Sequence, residues 1–87
     1  MAARKKLSDL EILELKRSDD YKDRMRAEYL ELKDRIEKLD KLLSDHFAGK
    51  LKFSLNCPVE PLIRQLDLMR SYLWVLEVRA KVEKVKL

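Results

Sequence analysis

Side chains able to hold a nucleotide crowd the stretch from residue 17 to residue 26: Arg17, Tyr21, Lys22, Arg24 and Arg26. Tyr29 and Lys33 continue the same run, four residues apart. A tyrosine ring offers a flat surface on which a base stacks, and guanidinium and ammonium groups neutralise phosphate. A helix start adds N–H groups that suit the same anion. Asp19, Asp20 and Asp23 share the stretch and compete for the cations. Two readings follow. One is a ligand site built on tyrosine and cations. The other is a set of intrahelical ion pairs beside a buried tyrosine.

The rest of the inventory offers little chemistry. With one His and one Cys, a metal cluster is out of reach. His46 falls on the apolar stripe of a helix and reads as a core or flanking residue, with no second His to share a metal. Cys57 stands before Pro58. It reads as a small capping residue, because no neighbouring base or resolving Cys would activate it. A single glycine rules out a phosphate-cradling glycine loop. The carboxylates of residues 31–41 fall four positions from Lys or Arg and read as a solvated, ion-paired face. The expectation is a non-enzymatic binding protein with no cofactor and no metal site.

The elements that must position these residues are helices. Of 87 residues, 46% are apolar and 41% charged, with one Gly and two Pro. Sheets need turn residues that this chain lacks, whereas long amphipathic helices need none. Ser8-Asp-Leu-Glu11 has the spacing of a capping box and predicts a short helix ending near residue 17, after a basic start. Ser18 predicts the cap of a long helix over 18–48, with Asp19 and Asp20 at its positive end. There Met25, Tyr29, Leu32, Ile36, Leu39, Leu43 and His46 recur at spacings of four and three, a heptad seam. Glu31–Arg35, Asp34–Lys38 and Glu37–Lys41 are the expected flanking pairs. Gly49 suits the left-handed position after the helix.

Residues 49–57 read as an ordered loop in which Leu51, Phe53 and Leu55 cover the end of the helices. Asn56 or Cys57 predicts the cap of a second long helix over 58–86, with Pro58 in its first turn. Leu62, Leu66, Met69, Leu73, Leu76 and Ala80 repeat the heptad spacing. The fold class is all-α: one domain over 1–87, a short N-terminal helix followed by an antiparallel, coiled-coil-like two-helix hairpin.

The last helix carries more apolar residues than one neighbour can bury. Leu68, Tyr72, Trp74, Val75, Val78 and Val82 lie off its seam. A chain this short buries little surface alone, so a homo-oligomer built on these residues is expected.

Charge is unevenly placed. Residues 49–87 hold eight cationic and four acidic side chains, against seven and nine in residues 18–48. Lys81, Lys84 and Lys86 leave open a nucleic-acid-associated role, although the chain's 16 acidic groups oppose tight nonspecific binding. The apolar surplus leaves open a protein-interaction module. No apolar run reaches the roughly 20 residues that a membrane span needs. The lone Cys and the absence of a signal-peptide core predict a cytoplasmic protein.

Two runs carry a resemblance. The first reads Glu28…Leu32…Ile36…Lys38-Leu39, within a segment that starts at Tyr21. The second opens at Cys57-Pro58 and continues Gln65…Met69…Tyr72…Leu76…Arg79-Ala80. Over about residues 21–82 the chain resembles a family of small phage proteins related to a crAss-like phage protein. In size and helix plan it is also similar to the anti-CBASS sponges. These are oligomers of a short N-terminal helix plus a hairpin. They bind bacterial immune cyclic nucleotides between subunits, with a Tyr on a base and a Lys on a phosphate. The resemblance implies a phage anti-defence protein in the cytoplasm of the infected host. Its ligand site would draw on Arg17, Tyr21, Lys22, Arg26, Tyr29 and Lys33. Tyr21 or Tyr29 would stack on bases, and Lys22, Arg26 and Lys33 would neutralise phosphates.

Overall fold

The structure, a computed structural model, describes residues 7–87. The basic start expected before residue 7 lies outside the described residues. Three helices follow in order: α1 (Asp9–Lys16), α2 (Tyr21–Phe47) and α3 (Val59–Glu83). The described residues contain no strand. A rod of 27 residues at ~1.5 Å each is about 40 Å long, and the molecule measures 43 × 30 × 24 Å. Its radius of gyration is 15.5 Å, whereas a compact chain of this length would have roughly 12 Å. The elongation follows from laying long helices side by side. α2 is the shared element: α1 and α3 each pack on it.

Local chemistry sets the boundaries. Ser8 Oγ accepts the Glu11 N–H at 3.2 Å, and Glu11 returns a carboxylate oxygen to the Ser8 N–H. This capping box starts a helix too short to persist unaided. At α2 the cap is Asp20, which accepts the Lys22 N–H at 3.0 Å. Ser18, the expected cap, instead donates to Asp23 Oδ2 at 2.7 Å and accepts the Asp20 N–H. A carboxylate nearer the first turn answers the helix dipole better than a hydroxyl two residues earlier. Gly49 takes the left-handed conformation (φ 72°) after α2, and the Lys50 N–H reaches back to the Asp45 carbonyl at 2.8 Å.

α3 departs from expectation at both ends. Neither Asn56 nor Cys57 caps it. Pro58 holds that position with no side-chain cap, and Pro61 falls in the first turn, where no intrahelical N–H is lost. The helix stops at Glu83 rather than near 86, because Lys84 turns left-handed (φ 58°) without a glycine. The Val85 N–H then bonds the Ala80 carbonyl at 2.8 Å, and Val85 is buried. Closing that apolar side chain into the core favours a backbone that a lysine otherwise avoids.

The two predicted seams meet. Met25, Leu32, Ile36 and Leu43 from α2 and Leu66, Leu76 and Ala80 from α3 form one buried cluster, with Tyr29, Leu39, Leu62, Met69 and Leu73 packed against it. Asp40 of α2 pairs with Arg70 of α3 at 3.1 Å, and Arg26 of α2 donates to the Lys86 carbonyl at 2.6 Å. His46 is the exception on the seam: it lies exposed, its ring edge-on to Phe47 at 5.2 Å. It lines a shallow depression with Leu51, Phe53, Leu55 and Val59 at the loop end of the molecule. Phe53 is likewise exposed, whereas Leu51 and Leu55 are half-buried. The flanking pairs Arg35–Glu31 and Lys38–Asp34 form, at 3.9 and 2.9 Å. Lys41 turns toward Asp45 at 3.0 Å rather than toward Glu37.

A second stripe of α2 serves α1. Ala27 is fully buried yet lies outside the main cluster. It sits two residues from Met25 and from Tyr29, about 200° round the helix from each. Leu30 and Glu31 on the same stripe are half-buried, and Glu31 pairs with Lys16 of α1 at 3.1 Å.

Candidate functional site

The predicted ligand residues divide between two places. Arg26, Tyr29 and Lys33 stand three and four residues apart, so one stripe of α2 carries all three. They line a groove of about 1110 Å³ between α1 and α2, walled on the far side by Leu7, Ile12, Leu13 and Lys16, with Leu87 also in its lining. Tyr29 is half-buried and packs against the core cluster, which holds its ring in place. The Lys33 ammonium stands 5.8 Å from the centre of that ring, within cation–π range.

Tyr21 and Lys22 are absent from that groove's lining. Tyr21, at the first position of α2, is 45% exposed. It is five residues from Arg26, about 140° round the helix. Its hydroxyl and the Lys22 charge lie near enough to Glu83 of α3 to help lower that carboxyl's pKa. Arg79 donates to Glu83 at 2.8 Å. That contact, first of all, pulls the Glu83 carboxyl below its ordinary value and raises the Arg79 guanidinium. Next along α3, the Tyr72 hydroxyl donates to Glu28 of α2, which raises the Tyr72 pKa. This is a polar tie between α2 and α3, already satisfied within the chain. Arg17 is exposed at the end of α1, where its N–H caps the Leu13 carbonyl.

The cations of the groove differ in what they hold. Lys16 pairs with Glu31 and Lys38 with Asp34. Arg26 bonds the Lys86 carbonyl and lies 3.5 Å from Asp23. Its guanidinium therefore anchors the tail behind α3 before it could meet a phosphate. Among the described residues Lys33 forms no ion pair, while Arg35, also in the lining, reaches Glu31 only at 3.9 Å. Ion pairs thus occupy the surroundings of Asp23 and Glu83, while Tyr29 and Lys33 stand together in the groove.

Lys16, Ile12, Leu13 and Leu87 are groove residues that sequence reasoning did not find. A capping box followed by apolar Ile12 and Leu13 announces a docked helix, but not where it docks. Leu87 reaches the groove only through the left-handed turn at Lys84, which no glycine signals. The expected interface residues Leu68, Tyr72, Trp74, Val75, Val78 and Val82 are all exposed, Trp74 at 65%. Lys81, Lys84 and Lys86 are exposed as well. No helix among the described residues is long and apolar enough to cross a membrane, and no three His, Cys, Asp or Glu are grouped to hold a metal ion.

The family model described as Sequestin matches residues 19–82. No curated protein and no solved structure matches the chain. The chain belongs to the Sequestin family. That name is consistent with a sequestering role, and the match spans α2 and α3, where the two resembling runs lie. It adds no tie to a crAss-like phage.

Proposed function

From this family membership and the groove beside α2, we propose that the chain is a phage-encoded, non-enzymatic sponge that sequesters a cyclic nucleotide immune signal. The observation that carries the reading is the Tyr29–Lys33 pair: a ring fixed against the core, beside an ammonium with no ion pair among the described residues, in a groove of about 1110 Å³. Small-ligand sites span roughly 300–1,000 Å³, so the groove has room for a nucleotide of two or three units. Tyr29 stacks on a base and Lys33 meets a phosphate. Arg26 holds the tail that walls the groove. Tyr21, Lys22 and Arg17 take no first-rank part.

Sequestration requires only that the chain bind the signal more tightly than the host effector does, so no catalytic group is needed. The chain works in the cytoplasm of the infected host, as a homo-oligomer of antiparallel hairpins. The contacts Arg26–Lys86 and Asp40–Arg70 support the hairpin, and the open apolar face of α3 supports assembly. Calorimetry of the full chain against cyclic di- and trinucleotides tests the reading. Heat with at least one of them, with binding weakened on Lys33→Gln, is expected; no heat with any of them defeats it.

Trp74 favours a second reading, a module that grips a host or phage protein through α3, because so large a ring at 65% exposure suits a binding hot spot. Iodide quenching separates the two. A Trp74 that is shielded in the purified protein speaks for assembly, and an open one for a missing partner.

A further inference from the structure

The outer face of α3 has the features of a self-complementary surface. Leu68, Ser71, Val75, Val78 and Val82 follow one another at spacings of three and four, a second heptad seam set about 200° from the buried one. All five are exposed. At the N-terminal half of this face lies a shallow apolar depression of about 410 Å³, lined by Pro61, Arg64, Gln65, Leu68, Met69 and Tyr72. Pro61, Arg64, Gln65 and Leu68 form a hole of the i, i+3, i+4, i+7 kind on this face, whereas Met69 belongs to the buried seam. At the other half stand two exposed valines, Val78 and Val82. Knobs and holes therefore occupy opposite halves of one helix, as a two-fold pairing requires.

We propose that α3 pairs antiparallel with α3 of a second copy, seating Val82 of each chain in the hole of the other, with Val78 beside it on the contact face. That register sets Trp74 beside Trp74 across the two-fold axis. It also sets Asp67 beside Lys81 of the second copy, twice. Neither Asp67 nor Lys81 has an ion pair within its own chain among the described residues, so both charges are available. A parallel pairing would keep Asp67 far from Lys81 of the second copy, and would put holes against holes. Charge and shape thus select the same arrangement. The inference rests on the reading of the chain as an oligomer and not on its ligand.

The test uses the full chain and sedimentation velocity. The wild type is expected to associate at micromolar concentration. Asp67→Lys and Lys81→Asp should each weaken association by about tenfold, and the double variant D67K/K81D should recover it. Trp74→Cys, in a Cys57→Ser background, should yield a dimer with a short bis-maleimide. Val78→Asp should dissociate the assembly while its helical circular dichroism is unchanged. A wild type that sediments as a monomer at high micromolar concentration overturns the pairing, as does association that survives Val78→Asp or a charge swap that restores nothing. A monomer that still gives heat with a cyclic nucleotide overturns the pairing alone. A rescued dimer that gives no heat defeats the sponge and leaves the pairing standing.

Discussion

The two long faces of α3 bear the same kind of residue at the same period and meet opposite fates. Inward, Leu66, Leu76 and Ala80 are buried against α2. Outward, Leu68, Trp74 and Val82 stand open, Val82 at 76% exposure. A heptad says that a face is made to be covered, and says nothing about by what. The inner seam finds its match within the chain because α2 carries a second seam of equal length. The outer seam finds none there, since α1 packs on α2 and not on α3. The polar residues behave differently again. Glu83 and Arg79, Tyr72 and Glu28, Lys16 and Glu31 close their own bonds inside the fold. Apolar surface cannot do this, because its gain comes only from area removed from water.

Substitutions can break or sharpen that contrast. The largest effect belongs to the inner seam. Leu76 is fully buried, and Leu76→Ala should cost about 2–5 kcal/mol of unfolding free energy in a urea titration. Leu68→Ala on the outer face should change the fold of the dilute chain by less than about 0.5 kcal/mol. Equal losses at the two positions would erase the distinction between the faces. Next comes the groove. Tyr29→Leu keeps apolar packing but removes the ring, and stacking is worth about 1–3 kcal/mol, so ligand binding in calorimetry should weaken roughly ten- to a hundredfold. Lys33→Gln should weaken it less and flatten its dependence on salt.

Smaller effects separate the two helix ends. Gly49 and Lys84 take the same left-handed conformation. Lys84→Gly should therefore stabilise the chain by about 0.5–1 kcal/mol, and Gly49→Ala should destabilise it by a similar amount. Thermal melts decide, and a Lys84→Gly variant that melts lower would show that the buried Val85 does not hold the turn. The smallest effect is the exposed tie at Glu83. Arg79 holds this carboxyl below its ordinary value of 4.5. The stability so gained is present above that value and is lost as pH falls through the lowered one. Glu83→Gln should thus melt slightly lower than wild type at neutral pH, and the gap should close in acid. A gap that is constant with pH would remove the ion pair from the account.

Much of this was legible beforehand where the cause is local. The Ser8–Glu11 box, Gly49 and the two buried seams all depend on residues within a turn or two of one another. His46, read as core or flanking, is exposed, and Phe53 does not cover the helix end as expected, because a period does not say what the loop beyond it covers. Tyr21 and Tyr29 looked equivalent along the chain, and eight residues of helix turn them to different neighbours. The contacts that sort them, Tyr21–Glu83 and Lys16–Glu31, join residues that no spacing rule connects. The same holds for Arg26, which reads as a phosphate ligand and is bonded to the Lys86 carbonyl.

The amino-acid sequence by itself determined that this chain is helical, where α2 ends, and which stripe of each long helix is buried. Those outcomes rest on period and capping, which act over a few residues. Only the tertiary structure decided that Tyr29 and Lys33, rather than Tyr21 and Lys22, share a groove, and that Lys33 has no ion pair there among the described residues. The physical reason is pairing. A charge is spent or available according to what stands within about 4 Å, and that neighbour lies on another element, placed by how the helices pack.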